Sequence, residues 1–183
     1  METKQNIRKQ IFKARKEATD MEVLQHSFDI TDKVLELPEF QQADTILIYV
    51  DYQHEVMTSL LIYEAWRQHK KVCVPKVHGK EMIFYEISDM TSLKPGYFGI
   101  LEPEGVPEAS WGDNALMIMP GVAFDTNLHR VGYGGGFYDR FLEVHKELRR
   151  VALGFEFQIL PEVPYEDTDI CPEILVTEKR VHR

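Results

Sequence analysis

The sequence predicts a single three-layer α/β domain, a mostly parallel open sheet with helices on both faces. Three observations carry this. Short, β-branched apolar runs recur along the 183 residues. Stretches with helical apolar spacing lie between them, as in βαβ folds. No repeat, low-complexity tract or long linker divides the chain.

Residues 3–18 read as a helix, because Ile7, Ile11, Ala14 and Ala18 recur at helical spacing behind Thr3, a candidate N-cap. A second helix covers about 20–36, with Asp20 as its cap and Pro38 as its end. Thr45-Ile46-Leu47-Ile48-Tyr49-Val50 is apolar almost throughout, the pattern of a strand buried on both faces. An amphipathic helix over 57–70, with Trp66 facing the core, leads to the strand Val72-Cys73-Val74-Pro75. This unit predicts parallel pairing through a right-handed crossover. Met82-Ile83-Phe84-Tyr85 is a further strand, 91–113 is Gly- and Pro-rich loop, and Ala115-Leu116-Met117-Ile118-Met119 is a buried strand stopped by Pro120-Gly121. A helix from Phe137 to about Leu148 and strands at 151–155 and 174–177 complete the expectation. Such sheets bind ligands beyond the carboxyl ends of their strands.

Composition narrows the function. With 44% hydrophobic and 28% charged residues the chain is neither disordered nor a membrane protein. No apolar stretch reaches the roughly 18 residues a bilayer span needs, and the polar start METKQNIRKQ does not read as a secretory signal. A net charge of -9 opposes non-specific nucleic-acid binding. Cys73 and Cys171 are far apart and outside any CxxC pair, so both are expected as free thiols in the cytoplasm. The seven histidines show no HxxxH or HxH spacing, which argues against zinc. No Gly-x-Ser-x-Gly elbow supports serine hydrolase chemistry.

The strongest motif lies between a buried strand and a helix: Arg130-Val131-Gly132-Tyr133-Gly134-Gly135-Gly136-Phe137-Tyr138-Asp139. Four glycines in five residues let the backbone reach positive φ and approach a ligand closely. Successive amides and the following helix N-terminus suit a phosphate. No Gly-Lys-Ser/Thr closes the turn, so it is not a Walker A loop. Asp139, in the first helical turn, is either a helix-dipole partner or a ligand for the Mg²⁺ that accompanies ATP phosphates. The N-terminal basic run reads as a solvated face in the first instance.

The segment Pro120-Gly121-Val122-Ala123-Phe124-Asp125 followed by residues 130–140 closely resembles the signature of the 5-formyltetrahydrofolate cyclo-ligase family. The resemblance extends over nearly the whole chain. It includes Lys4-x-x-x-Arg8, Gln53-x-Glu55-Val56, Gly99-Ile100-Leu101-Glu102-Pro103, Asp169-x-x-x-Glu173 and Thr177-Glu178. Phe137 stands where the family often has tyrosine, and Glu173 where it often has aspartate.

The resemblance implies ATP-dependent closure of 5-formyltetrahydrofolate to 5,10-methenyltetrahydrofolate, through an N5-iminium phosphate and with release of ADP and phosphate. It implies Arg130 and Tyr138 as catalytic residues. It places ATP on Lys4, Arg8, Arg130, Gly132, Tyr133, Gly134, Gly135, Gly136, Phe137 and Tyr138. It places the folate on Val50, Glu55, Tyr133, Gly134, Gly135, Gly136 and Phe137, and Mg²⁺ on Asp139 and Asp169. Only Lys4 and Arg8 of the basic run match, which leaves Lys9, Lys13, Arg15 and Lys16 on the solvated face. The expected protein is a cytoplasmic monomer acting on small molecules, without nucleic-acid or membrane partners. Two other readings stay open on residues alone: a sugar-phosphate isomerase or CoA-transferase-like enzyme, and a non-catalytic nucleotide-binding module.

Overall fold

A computed structural model describes residues 2–183. The α-helices among these residues are α1 (Lys4–Glu17), α2 (Asp20–Glu36), α3 (Pro38–Gln42), α4 (Ser59–Arg67) and α5 (Phe137–Val144). The strands are β1 (Thr45–Ile48), β2 (Lys71–His78), β3 (Glu81–Ile87), β4 (Leu93–Pro95), β5 (Leu101–Pro103), β6 (Ala115–Met119), β7 (Ala123–Phe124), β8 (Arg130–Val131), β9 (Arg149–Leu153), β10 (Ile174–Val176) and β11 (Val181–His182).

Helix starts follow local chemistry. The Thr3 side chain accepts the Asn6 amide and opens α1. Thr19, not Asp20, caps α2, and it does so in a reciprocal capping box with Glu22. Asp20 is the first helical residue, where its charge favours the helix dipole. Pro38 both follows α2 and begins α3, because a first-turn position needs no amide hydrogen.

The main sheet has the order β11-β10-β9-β6-β1-β2-β3. Its five inner strands are parallel, and β3 and β11 pair antiparallel at the edges. Side-chain alternation sorts each strand between two faces. Ile46 and Ile48 face the layer that holds Leu61, Ile62 and Ala65 of α4 and Val23, Ile30 and Val34 of α2. Leu47, Cys73, Met117 and Ala152 face Phe141 and Leu142 of α5. The three-layer expectation therefore holds. Trp66 packs against the first layer, and its indole N–H donates to the Ile87 carbonyl at 3.2 Å.

The expected loop at 91–113 is partly ordered: β4 and β5 pair antiparallel. The β7–β8 hairpin was also outside the expectation, and α1 packs Ile7 and Ile11 against its Val122, Ala123 and Val131. Both cysteines are free, and burial pushes the Cys73 thiol up to about 12. No helix among the described residues is long and apolar enough to cross a membrane.

Candidate active site

From β1 the chain crosses through α4 to β2 on one side, and from β6 it crosses through α5 to β9 on the other. The neighbouring strands β1 and β6 thus flank the point where the sheet order reverses, and the crevice beyond their carboxyl ends is the natural ligand site. A cavity of about 1100 Å³ opens there. Tyr49 and Val50 after β1, Pro120 after β6, residues 132–136 after β8, and α1 from above all line it. Small-molecule pockets usually span about 300–1,000 Å³, so this one is at the large end of that range.

One end suits phosphate. Gly134 has φ +102° and Gly136 has φ +64°, in the left-handed region, whereas Gly135 does not. Gly136 caps α5 with no side-chain hydrogen bond, so the first amides of the helix lack a side-chain acceptor. Arg8 donates through Nε to the Gly132 carbonyl at 2.7 Å. Arg130 is 7% exposed, and its Nη2 donates to Asp139 Oδ1 at 2.8 Å. The same carboxylate oxygen accepts the Ile170 amide at 3.1 Å. Lys4 Nζ lies 2.6 Å from Asp169 Oδ2 and 3.1 Å from Glu166 Oε1. Burial pulls the Lys4 amine down, but hydrogen bonds and charge from Asp169 and Glu166 outweigh it and hold the pKa above the usual lysine value.

The other end is built around Glu55, which is buried yet lines the cavity. Its Oε2 accepts the Tyr52 amide at 2.9 Å, and its Oε1 accepts the Tyr133 hydroxyl. That hydroxyl in turn accepts from Arg15 Nη1. Burial raises the Glu55 carboxyl, and Arg15, Tyr133 and the Tyr52 amide oppose the rise. The loop reaches this conformation through two successive non-glycine residues at positive φ, Gln53 at 46° and His54 at 57°. Flat aromatic surfaces complete the walls: Phe137 meets Tyr97 edge-on at 6.2 Å, and Tyr97 meets Phe98 at 4.5 Å. Tyr138 packs against both core layers, and burial holds its phenol protonated well above the usual tyrosine value.

Every residue that the sequence singled out for ATP, folate, metal or catalysis lines this one cavity. Arg15 overturns its expectation. It is 4% exposed, not solvated, and its guanidinium sits against the Tyr133 ring. Phe12, Tyr97 and Phe98 also line the cavity and were not anticipated. Glu173 lies elsewhere, paired with Arg150.

Among the described residues no group of three or more His, Cys, Asp or Glu side chains could hold a metal ion unaided. Asp139 and Asp169 each engage one carboxylate oxygen with a cation and an amide, which leaves the other oxygen without a protein partner. That donor set suits Mg²⁺ shared with phosphates, because Mg²⁺ is held by one or two carboxylates, substrate phosphates and water.

Residues 1–178 match the model of the 5-formyltetrahydrofolate cyclo-ligase family. A 5-formyltetrahydrofolate cyclo-ligase from Haemophilus influenzae is 34% identical over 174 residues, covering 91% of this chain and 93% of that protein. A probable 5-formyltetrahydrofolate cyclo-ligase from Schizosaccharomyces pombe is 34% identical over 175 residues, 86% of each chain. The solution structure of Aquifex aeolicus 5,10-methenyltetrahydrofolate synthetase superimposes with a TM-score of 0.85 at 31% identity, covering 98% of this chain and 92% of that one. The 5,10-methenyltetrahydrofolate synthetase of Mycoplasma pneumoniae shares the fold, with a TM-score of 0.76 at 20% identity. The match runs through both ends of the cavity, and the chain belongs to the 5-formyltetrahydrofolate cyclo-ligase family and is a ligase enzyme.

Proposed function

We propose that the chain converts 5-formyltetrahydrofolate to 5,10-methenyltetrahydrofolate using ATP. The observation that carries this is the joining of a phosphate-type end and a carboxylate-and-aromatic end in one cavity of about 1100 Å³. The formyl oxygen on N5 attacks the γ-phosphorus, the bond to the bridging oxygen breaks, and ADP leaves. This forms the N5-iminium phosphate. N10 then attacks the activated carbon, its proton is lost, and the C–O bond breaks with departure of phosphate. An amide oxygen leaves poorly, and phosphorylation makes it a good leaving group.

The residues divide accordingly. Amides of 132–136 and the cations Lys4, Arg8 and Arg130 bind and orient the phosphates. Arg130 and the protonated Tyr138 donate hydrogen bonds to the transferring group, where charge is spread in the transition state. Glu55 accepts from the pterin N–H groups, Val50 lines the same cavity, and Phe137, Tyr97 and Phe98 offer stacking surfaces. Asp139 and Asp169 would hold Mg²⁺, which supplies charge neutralisation on the phosphates. Unpaired cysteines support a reducing, cytoplasmic setting.

The direct test mixes the protein with ATP, Mg²⁺ and 5-formyltetrahydrofolate and follows the near-ultraviolet absorbance of the methenyl product. An ATP-dependent rise is expected; its absence removes the proposal. Two variants resolve the two ends. Glu55→Gln is expected to raise the KM for the folate about tenfold or more and that for ATP less than about twofold, since a pterin contact reports on the folate alone. A larger change in the ATP KM would move Glu55 to the nucleotide side. Lys4→Ala is expected to weaken ATP binding about five- to tenfold in calorimetry, the scale of one charge-assisted contact. Unchanged affinity would return Lys4 to a structural pairing with Asp169.

A further inference from the structure

Burying a guanidinium is costly unless its charge and donors are matched. Arg15 is 4% exposed, while its neighbours Lys13 and Lys16 face solvent. Its Nη2 donates to the Gly121 carbonyl at 2.9 Å and its Nη1 to the Tyr133 hydroxyl. The Phe12 and Tyr133 rings lie 6.0 and 5.6 Å from its central carbon. No carboxylate among the described residues touches it directly. Its charge meets Glu55 through the Tyr133 hydroxyl, which donates to that carboxylate.

The main chain of the same residue holds the same loop. The Arg15 carbonyl lies 2.8 Å from His54 Nδ1, and His54 Nε2 lies 2.9 Å from Asp20 of α2. Gln53 and His54 both occupy the left-handed region, which persists only where surrounding contacts enforce it. Arg15 therefore holds this loop at two places, directly at the His54 ring and, through the Tyr133 hydroxyl, at the Glu55 carboxylate.

We propose that Arg15 is a positioning residue for Glu55: through the Tyr133 hydroxyl it fixes that carboxylate in the cavity wall and keeps it an acceptor for the folate. This rests on the reading of Glu55 as the folate contact. The groups facing Glu55 are Arg15 from α1, Tyr133 from the glycine turn, Asp51 and the Tyr52 amide from its own loop, Tyr49 beyond β1 and Tyr138 from α5. Among these groups the positive charge comes from Arg15, and His54, next to Glu55 in the loop, turns its ring to the Arg15 carbonyl and Asp20. Burial and Asp51 push the Glu55 carboxyl up, and Arg15 pulls it down. A carboxyl raised in this way loses its acceptor form as pH falls. Without Arg15 that loss must come at higher pH.

The experiment is steady-state kinetics of the full chain between about pH 5.5 and 8.5, with circular dichroism as the folding control. Arg15→Met is expected to lower kcat/KM for the folate about tenfold near neutral pH and to change the ATP KM less than about twofold. Its acid limb should lie at higher pH than in the wild type, so the loss deepens by about threefold or more near pH 6. Arg15→Lys should restore the position of the limb but only part of the affinity, because lysine supplies charge without the guanidinium fork. A purely structural Arg15 would lower stability and leave the limb in place. A folded Arg15→Met with a wild-type limb and equal changes in both KM values overturns the proposal. If Arg15→Met does not fold, Tyr133→Phe removes the hydroxyl that links the two groups, and an unmoved limb there overturns it equally. If Glu55→Gln leaves the folate KM unchanged, the folate reading of Glu55 and this proposal fall together. If Glu55→Gln raises that KM and Arg15→Met does not, only the Arg15 proposal falls.

Discussion

Gly134→Val is expected to lower turnover by about a thousandfold or more while the protein keeps its circular dichroism spectrum. Gly134 sits at φ +102°, a conformation that costs any L residue and a β-branched one most. A β-carbon there would stand 3.5 Å from the Arg8 guanidinium, so valine's outer carbons would crowd the group that anchors the Gly132 carbonyl. The turn must then re-route, and the amides proposed to bind phosphate turn away. Losing one preorganised donor costs about 10²–10³ in rate, and the re-routed turn loses more than one. The residue is exposed and packs into no core cluster, so the fold survives. Gly135 behaves differently: its φ lies outside the left-handed region, and an added β-carbon would meet the Phe137 ring at 2.6 Å. Gly105→Val supplies the control, because Gly105 has φ +70° with open space around it and lies outside the cavity. It should lose some stability and keep its turnover. A folded Gly134→Val with more than about a tenth of wild-type activity would remove the phosphate cradle from this turn.

The elements legible in the sequence are those whose burial writes a pattern. β1, β6 and β10 are buried on both faces and read as unbroken apolar runs. The β7–β8 hairpin has two residues in each strand and is held by pairing and by α1, so it has no periodicity to read. The β4–β5 hairpin hides in the same way behind Pro and Gly, and with it the cavity aromatics Tyr97 and Phe98. Glu55 is an ordinary loop acid by composition, and only the family resemblance raised it. Arg15 had a signal that was available: Ile7, Ile11 and Arg15 lie at successive four-residue steps, on the buried stripe of α1. The surrounding basic run masked it, because a charge on such a stripe is ordinarily excluded from the interior. Membership of the ligase family sets aside the isomerase, transferase and non-catalytic readings.

Arg130→Met is expected to lower kcat by about 10²–10³, with both KM values moving by less than about fivefold. The reason lies in what the guanidinium leaves unused. Arg130 is buried at 7% exposure, its Nη2 holds Asp139, and its Nε has no partner. Five donors in a fixed fork are thus served by a single protein acceptor in a wall that opens to the cavity. A buried cation left so incompletely matched can take up an anion that arrives with the substrate, and in the proposed reaction the transferring phosphoryl group is the one whose charge spreads. Gly132 is part of the same arrangement, since a β-carbon there would lie 2.9 Å from Arg130 Nη1. Methionine fills much of the volume, and Asp139 keeps the Ile170 amide, so the site is not left empty or its carboxylate unbonded. Arg130→Lys should recover only a minor part of the rate, because a point charge cannot reproduce a two-pronged grip on phosphate. Single-turnover rates under saturating ATP and folate separate this from a binding defect. A folded Arg130→Met that turns over within about tenfold of the wild type would leave Arg130 as a structural partner of Asp139 and place the phosphate-stabilising charge on Lys4 and Arg8 instead.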